Sequence, residues 1–198
     1  MAHKLSLAFL TVPGCGPVEA IRIAAETGYD MIGFRLLPAA TEPPYALMHD
    51  DRVLDEAISA LKDTGLAVGD VEIARLKPQT AVAQFEPFLE RAARLGARHV
   101  LVAGDDPDQA RLTGSFAAFC QLCRAYDLTA DLEFMPWTGV PDLAAARRIV
   151  EDAAQPNGGV LIDALHFDRS GSSPELLASL PAARLPFAHL CDARRAPP

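Results

Sequence analysis

Three side chains of the kinds that bind divalent metals each end or interrupt a short apolar run of the sequence. They are Glu133, Asp163 and His189. An ionised carboxylate among the apolar residues of a buried strand is costly unless it is paired or binds a metal. Two carboxylates and an imidazole together form a mixed oxygen and nitrogen site suited to Mn²⁺, Co²⁺, Mg²⁺ or Zn²⁺. The alternatives are a structural ion pair for either acid and a core position for the histidine.

Three more polar side chains lie at or just beyond the ends of apolar runs: Arg35, Glu72 and His166. In a barrel of parallel strands the carboxyl ends converge on one opening, where catalytic residues from several strands meet. The six positions together therefore predict a site at that opening. A solvated charge at the rim is the alternative for Arg35, and a structural pair is the alternative for Glu72.

The elements that must position these residues alternate along the chain. Short apolar runs typical of strands are followed by segments of helical periodicity, which is the pattern of strand–helix units around a parallel sheet. Seven strands are predicted, over Leu5–Leu10, Asp30–Leu36, Ala67–Ala74, His99–Ala103, Leu128–Met135, Gly159–Leu165 and Leu185–Cys191. Six helices are predicted, over Pro17–Gly28, Val53–Asp63, a segment ending at Gly96, Gln109–Tyr126, a segment after Pro141 and a short segment after Pro174. The Pro-rich stretch from Pro38 to Asp50 is long for a loop, so we expect it to lie over the site.

Strand–helix units of this kind form either an open doubly wound sheet or a closed barrel. No G-x-G-x-x-G turn follows any predicted strand, which disfavours the dinucleotide-binding form of the open sheet. The polar residues at successive strand ends favour the barrel. No linker or repeat divides the sequence, so residues 1–198 are predicted to form a single α/β domain of the TIM type.

The composition indicates a compact protein that acts on a small molecule. Half of the 198 residues are apolar and 22% are charged. A net charge of −8 argues against a nucleic-acid partner, because affinity for nucleic acids depends on lysines and arginines that neutralise phosphates. The apolar runs are far shorter than the ~20 residues of a membrane helix, and no secretory signal is visible. We therefore predict no membrane partner and a cytoplasmic location.

The four cysteines do not have the spacing of a disulfide framework in a chain of this length. Cys120 and Cys123 have the spacing of a metal or redox pair, but they share a helical face with Leu112, Phe116 and Phe119. Free cysteine is often buried as a small apolar residue. We therefore predict that both cysteines belong to the core.

Four segments carry a resemblance to a known family: Asp70–Leu76, Leu132–Phe134, Leu161–Phe167 and His189–Asp192. Their order and spacing fit successive barrel strands and span nearly the whole chain. On these segments the sequence resembles the xylose-isomerase-like TIM barrels, a superfamily of sugar phosphate isomerases and epimerases. Ketose 3-epimerases, hydroxypyruvate isomerases, inosose dehydratases and endonuclease IV also belong to it. The resemblance implies a TIM-type (β/α)8 barrel.

By this resemblance, Glu133, Asp163 and His189 are three of the family's four metal ligands, and Mn²⁺ is the first choice among the divalent ions. Glu133 is also one of the two catalytic acid/base groups. The fourth ligand of the family is a glutamate on the eighth strand. A TIM barrel typically needs ~250 residues, so this sequence is expected to stop after its seventh strand and to lack that glutamate. We expect such a chain to form an oligomeric assembly, to have a disordered continuation or to be poorly soluble, and to have little activity without a segment that supplies the glutamate.

The resemblance also implies substrate contacts. His166, three residues after the aspartate ligand, matches a histidine that contacts substrate. Arg195 stands six residues past the histidine ligand, where the epimerases have a substrate-binding arginine, and Arg194 is a competing choice. Arg35 and Glu72 are expected to face the substrate as well.

The function implied is a divalent-metal-dependent isomerase or epimerase of a sugar or sugar phosphate, which works through a metal-stabilised enediolate. Two alternatives stay open: a metal-dependent dehydratase of the inosose or dehydroshikimate type, and a non-catalytic homologue that binds a metal or a sugar. In each case the partner is a sugar or polyol. Endonuclease IV holds DNA with a cluster of several metals, which is a poor match for five histidines and a net charge of −8.

Overall fold

The structure, a computed structural model, describes residues 3–39 and 41–193. Within them are seven strands: β1 (Ser6–Leu7), β2 (Met31–Arg35), β3 (Ala67–Leu76), β4 (His99–Gly104), β5 (Thr129–Glu133), β6 (Gly158–Asp163) and β7 (Ala188–His189). The same residues form eight α-helices: α1 (Pro17–Glu26), α2 (Ala46–His49), α3 (Asp51–Thr64), α4 (Glu86–Arg94), α5 (Gln109–Arg124), α6 (Leu143–Ala153), α7 (Ala164–Arg169) and α8 (Pro174–Ser179). None of these helices is long and apolar enough to cross a membrane.

Local sequence signals determine where the helices begin and end. Asp50 precedes α3, and its Oδ1 accepts hydrogen bonds from the backbone N–H groups of Arg52 and Val53 at 2.9 and 3.3 Å. Gly65 ends the same helix with a φ of 73°, a left-handed conformation that glycine adopts without steric cost. Asp142 caps α6 as Asp50 caps α3. These caps place the helix boundaries close to those predicted.

The described chain forms two compact units. The first contains the described residues up to 74, together with 83–100 and 125–128. Its strands β1, β2 and β3 are parallel neighbours in that order, and the register places Arg35 of β2 opposite Glu72 of β3. Helix α1 packs on α3 and on β2. The fully buried side chains of this unit include Ile21, Ile32, Leu54 and Phe88.

The second unit contains residues 75–82, 101–124 and the described residues from 129 onward. Its strands β4, β5, β6 and β7 are neighbours in chain order, and β6 runs parallel to both β5 and β7. Helix α6 packs on α5, β5 and β6. The fully buried side chains of this unit include Leu112, Phe116, Phe119 and Phe134.

The predicted strand–helix alternation is confirmed, and so is the sequential order of strands within each unit. The predicted strand Leu5–Leu10 is too long, because after Leu7 the chain turns into a 3-10 helix over Phe9–Thr11. The last predicted strand is also shorter, since only Ala188–His189 pair with β6. The stretch from Pro38 to Asp50 was predicted as a loop, and it contains the short helix α2.

The cysteines are all free thiols, in different environments. Cys120 and Cys123 are completely buried in α5, so their predicted place in the core is confirmed. Burial raises the pKa of the Cys120 thiol to about 12 and also raises the pKa of Cys123. Cys15 is partly exposed and Cys191 is exposed.

We expect Cys120 and Cys123 to be inert toward the thiol reagent DTNB in the native protein, because the reactive species is the thiolate and burial suppresses it. Only Cys15 and Cys191 should react before denaturant is added, and Cys191 should react slowly because its thiol is exposed but has a raised pKa. The measurement is absorbance of the released thionitrobenzoate, with the double variant Cys15→Ser, Cys191→Ser as the control that should give no native signal. Rapid native labelling of either α5 cysteine, located by mass spectrometry, would contradict this description of the core.

Candidate metal centre

Three neighbouring strand ends in the second unit carry the residues predicted to bind metal. Glu133 is the last residue of β5, Asp163 the last of β6 and His189 the last of β7. In the register, Asp163 lies opposite His189, and Glu133 lies opposite Leu161, two residues before Asp163. Side chains alternate between the faces of a strand, so residues two apart share a face. The three side chains therefore project from one face at the carboxyl ends of these strands.

The carboxylate of Asp163 determines how the chain leaves β6. Its Oδ1 accepts hydrogen bonds from the backbone N–H groups of Leu165 at 2.8 Å and His166 at 2.9 Å. This is an N-cap, so the predicted strand Gly159–Leu165 ends at Asp163 and helix α7 begins at Ala164. The first turn of α7 brings His166 back toward the aspartate, with 4.0 Å between Nδ1 and Oδ1.

Glu133, Asp163 and His166 form a compact group of possible ligand atoms. One carboxylate oxygen from each acid and one ring nitrogen of the histidine all lie within 4.8 Å of one another. The two acids are 4% and 8% exposed. Two ionised carboxylates this close and this buried repel each other, and a cation between them removes that repulsion. The group can therefore hold a divalent ion.

The donor atoms of this group fit such an ion. Nδ1 of His166 is buried and has no hydrogen-bond partner within the part of the chain that the structure describes, although buried polar atoms usually have one. Oxygen and nitrogen ligands lie about 2.0–2.2 Å from zinc, so two atoms on one ion are at most about 4.4 Å apart. The limit of 4.8 Å between the ligand atoms exceeds that span by a few tenths of an ångström. A small contraction of the group would place all three atoms on one ion.

His189 borders this group through Glu133. Its Nδ1 lies 3.9 Å from Oε1 of Glu133, and its ring packs against Phe187 with 5.4 Å between the ring centroids. The sequence predicts His189 as a metal ligand and His166 as a substrate contact, whereas the compact group contains His166. Both imidazoles thus lie close to a buried carboxylate, and the choice of ligand between them stays a prediction.

Two residues beside the group were given no role by the sequence analysis. The Sγ atom of Cys191 lies 3.7 Å from each carboxylate oxygen of Asp163. The residue is exposed, but partial desolvation of its sulfur, and then the charge of Asp163, raise the pKa of this thiol, so it can donate a weak hydrogen bond to the carboxylate. Trp137 packs edge to face with His166, with 5.0 Å between centroids and 87° between planes. The sequence feature that could have indicated a role for Trp137 is its place in the turn that follows β5, since active sites of TIM barrels are built from such turns.

Arg35 and Glu72 form an ion-pair cluster in the first unit. The Arg35 guanidinium donates to Glu72 Oε2 at 2.9 Å and to Glu42 Oε1 at 2.7 Å, and it stacks over Phe9 at 5.0 Å from the ring centroid. Burial by itself lowers the pKa of Arg35, but the charges of Glu72 and Glu42 outweigh burial and raise that pKa. Both predicted side chains are therefore held by the protein itself. Their predicted contact with substrate stays a prediction.

A pocket opens beside this cluster in the first unit. Arg35 lines it together with Phe9 and Phe34, and Tyr45–Leu47 contribute from the stretch Pro38–Asp50 that was predicted to lie over a site. The remaining predicted substrate contact, Arg195, lies outside the described residues, as does its competitor Arg194.

Comparisons with known proteins agree with the architecture. A family model described as xylose isomerase-like TIM barrel matches residues 21–198. No curated protein sequence matches the chain.

Solved structures of the same fold are similar to this chain over nearly all its length. The zinc-bound IolI protein is 19% identical, with a TM-score of 0.82 over 98% of this chain and 75% of that protein. D-psicose 3-epimerase, solved in the presence of D-fructose, is 16% identical, with a TM-score of 0.77 over 95% and 73%. The probable 3-DHS dehydratase AsbF from Bacillus anthracis is 16% identical, with a TM-score of 0.75 over 94% and 72%. At these identities the likeness establishes the fold, and the predicted TIM-type α/β fold is confirmed.

We expect the protein to bind one divalent ion, and Glu133→Gln or His166→Ala to weaken Mn²⁺ binding by at least about tenfold. Loss of a residue that only supports a ligand already costs 10–100-fold in other metal sites, about the minimum for a ligand itself. Isothermal titration calorimetry measures the affinity, with Glu56→Gln, an exposed residue of α3, as the matched control. His189→Ala in the same series shows whether that imidazole is a ligand. An Mn²⁺ affinity unchanged in Glu133→Gln would remove this group as the ion site.

We expect Arg35→Met to lower the free energy of unfolding by about 3–5 kcal/mol, because it leaves the buried Glu72 carboxylate without its arginine. Adding Glu72→Gln to that variant should recover part of the loss. Arg94→Met is the matched control, since Arg94 pairs with Asp51 and Asp55 at the surface, where such pairs contribute about 0–1 kcal/mol. Urea unfolding of the four proteins gives the comparison. Equal effects of Arg35→Met and Arg94→Met would show that the cluster has no structural importance.

Proposed function

This chain belongs to the xylose isomerase-like TIM barrel family, and we propose that it is a divalent-metal-dependent isomerase or epimerase of a sugar or sugar phosphate. The observation that carries the proposal is the compact group formed by Glu133 and Asp163, at the ends of β5 and β6, and His166 in the first turn of α7. Among solved structures of the same fold, one is a sugar epimerase and another holds zinc. The fold by itself does not determine the reaction, so the proposal depends on the residues of the site.

The ion we propose is Mn²⁺, with Mg²⁺, Co²⁺ or Zn²⁺ as the other candidates. Carboxylate oxygens and an imidazole nitrogen suit each of these ions. A divalent ion bound there would supply Lewis-acid polarisation of a substrate carbonyl, which acidifies the neighbouring carbon-bound proton and stabilises the enediolate that results. The residues around it must then bind the substrate and move that proton.

Glu133 is the residue we propose as the base. It stands at the end of β5 and the residue is 4% exposed, so water competes little for the proton it would accept. A carboxylate in reach of the substrate carbon can take the proton on one face and return it to the neighbouring carbon or to the same carbon. Return to the neighbouring carbon is isomerisation. Return of a proton to the opposite face of the same carbon is epimerisation, which needs a second acid.

His166 and His189 are proposed to act on substrate oxygens or on the ion. The side chains of both are partly exposed, at 15% and 20%, whereas the two carboxylates beneath them are more deeply buried. An imidazole in this position can donate a hydrogen bond to a hydroxyl or carbonyl oxygen from whichever nitrogen does not face the carboxylate. Arg195 is proposed as a further contact to substrate oxygens.

A dehydratase is the second candidate. The fold of AsbF, a probable 3-DHS dehydratase, is similar to that of this chain. Such an enzyme would use the same base to remove the same kind of proton and would then expel a hydroxyl from the next carbon. The two reactions share their first step and differ in product, since only dehydration changes the mass of the substrate.

We expect a ketose to take up deuterium from D2O at the carbon next to its carbonyl in the presence of this protein and Mn²⁺. This exchange needs only one base, so it reports on Glu133 even where the full reaction requires a second acid. Glu133→Gln should slow exchange by about 10²–10⁴-fold, since an amide cannot accept the proton. Mass spectrometry follows the uptake, and chelation of the metal should abolish it.

The exposed residue Glu56 supplies the control, because Glu56→Gln should exchange as the wild type does. D-fructose, D-psicose and 2-keto-myo-inositol form the substrate panel, and loss of water from any of them would identify the dehydratase. Metal binding without exchange, turnover or water loss on the whole panel would favour a non-catalytic binding protein over the proposed enzyme.

A further inference from the structure

Trp137 is the single tryptophan of the chain, and it is 69% exposed. An isolated exposed apolar side chain is common and needs no explanation. Two features make this one different: the turn that presents the ring is rigidly held, and the ring lies against the candidate metal group.

The turn after β5 is held by hydrogen bonds on both sides of Trp137. The backbone N–H of Thr138 donates to the carbonyl of Met135 at 2.9 Å, and the backbone N–H of Met135 donates to the carbonyl of Val140 at 2.9 Å. The Thr138 hydroxyl donates to the Met135 carbonyl as well, at 2.9 Å. Met135 and Val140 are themselves buried. The exposure of the indole is therefore a property of the fold and not of a loose loop.

Gly139, two residues after Trp137, lets this turn pack closely against the chain near Asp106. A Cβ at that position would overlap the backbone oxygen of Asp106, so the backbone of the turn lies in close contact with the chain that follows β4. Gln109 adds a hydrogen bond from its side-chain amide to the carbonyl of Gly139 at 2.8 Å. The indole thus projects from an anchored turn and has few ways to reach a buried position.

The indole touches the candidate site at His166. The two rings meet edge to face, with 5.0 Å between their centroids. The Nδ1 atom of the same His166 ring has no hydrogen-bond partner within the described residues. An edge-to-face contact covers only a small part of an indole, which agrees with the 69% exposure. Most of the ring surface remains open beside the group that would bind the substrate's oxygens.

A sugar has the two kinds of surface that this arrangement can bind. Its hydroxyl and carbonyl oxygens can bind a metal and accept hydrogen bonds, while its C–H groups form an apolar face. Aromatic rings provide apolar contact of this kind next to a few polar groups that fix orientation. We propose that Trp137 binds the substrate, with its indole packed on the C–H face of the sugar while the sugar oxygens point to Glu133, Asp163 and His166. This inference rests on the proposed function, and it adds the residue that recognises the carbohydrate.

A different role for the same contact is orientation of the His166 ring. In that case the loss of Trp137 would lower the affinity for the metal, whereas in the proposed role it would lower the affinity for the sugar. The two roles are therefore separated by measuring metal affinity and sugar affinity on the same variants.

The experiment uses the fluorescence of the one tryptophan, with Mg²⁺ as the ion because it does not quench emission. D-fructose, D-psicose and 2-keto-myo-inositol are titrated into the metal-loaded protein, and calorimetry measures the affinities for sugar and for metal. We expect saturable changes in Trp137 emission with at least one of these sugars. Trp137→Ala should weaken binding of that sugar by about tenfold, with the metal affinity unchanged. Trp137→Phe should stay within about threefold of the wild type, because it keeps an aromatic face.

Leu5→Ala is the control, since it removes an exposed apolar side chain of similar exposure, 59%, and should leave both affinities unchanged. A sugar that binds equally well to wild type and Trp137→Ala would overturn the inference and leave the proposed function standing. Metal affinity that falls in parallel with sugar affinity would also overturn it, in favour of an orienting role. Metal binding with no affinity of the wild type for any of the sugars would sink the proposed function and this inference together.

Discussion

The side chain of Asp163 is where the backbone and the candidate site depend on each other. Its Oδ1 accepts hydrogen bonds from the backbone N–H groups of Leu165 and His166, which ends β6 and begins α7. The residue also lies opposite His189 in the strand register. The cap also sets the direction of the first turn of α7, which returns His166 to the carboxylate. A substitution at Asp163 would therefore change the helix start and the ligand group together, so Glu133 and His166 are the cleaner positions at which to examine ion binding.

The two units of the protein stabilise buried carboxylates in different ways. In the first, the guanidinium of Arg35 lies between Glu42 and Glu72 and pairs with both. In the second, imidazoles lie close to Glu133 and Asp163. A guanidinium keeps its charge and has no lone pair to offer, whereas a neutral imidazole can bind a metal. The type of partner, more than the burial of the acids, is why we propose the second group as the ion site.

Burial of an acid in a strand does not by itself mark a functional site. Asp131, two residues before Glu133, is completely buried and accepts a hydrogen bond from the Thr129 hydroxyl at 2.7 Å. Gly159 makes room for it, since a Cβ there would lie 2.6 Å from Asp131 Oδ1. What distinguishes Glu133 is its place at the carboxyl end of β5, where it lies close to Asp163 at the end of β6 and to His166 in α7. The position along the strand therefore distinguishes the two acids. Asp131 lies inside the core, whereas Glu133 lies at the strand end, where a ligand can reach it.

The sequence by itself determined the class of fold and the positions of the strand-end residues. Strand and helix periods are local properties, so the alternation, and the presence of Glu133, Asp163 and His189 near strand ends, could be predicted from short segments. Only the tertiary structure decided that His166 joins the two carboxylates, that Arg35 is held in an ion pair and that Trp137 lies exposed against an imidazole. Those outcomes depend on strand register and on whether Asp163 caps a helix or continues a strand. Strand register depends on pairing between segments far apart in the chain, which local patterns do not contain. The cap at Asp163 is a local signal, but whether the strand continues past it depends on where the pairing of β6 with its neighbours stops.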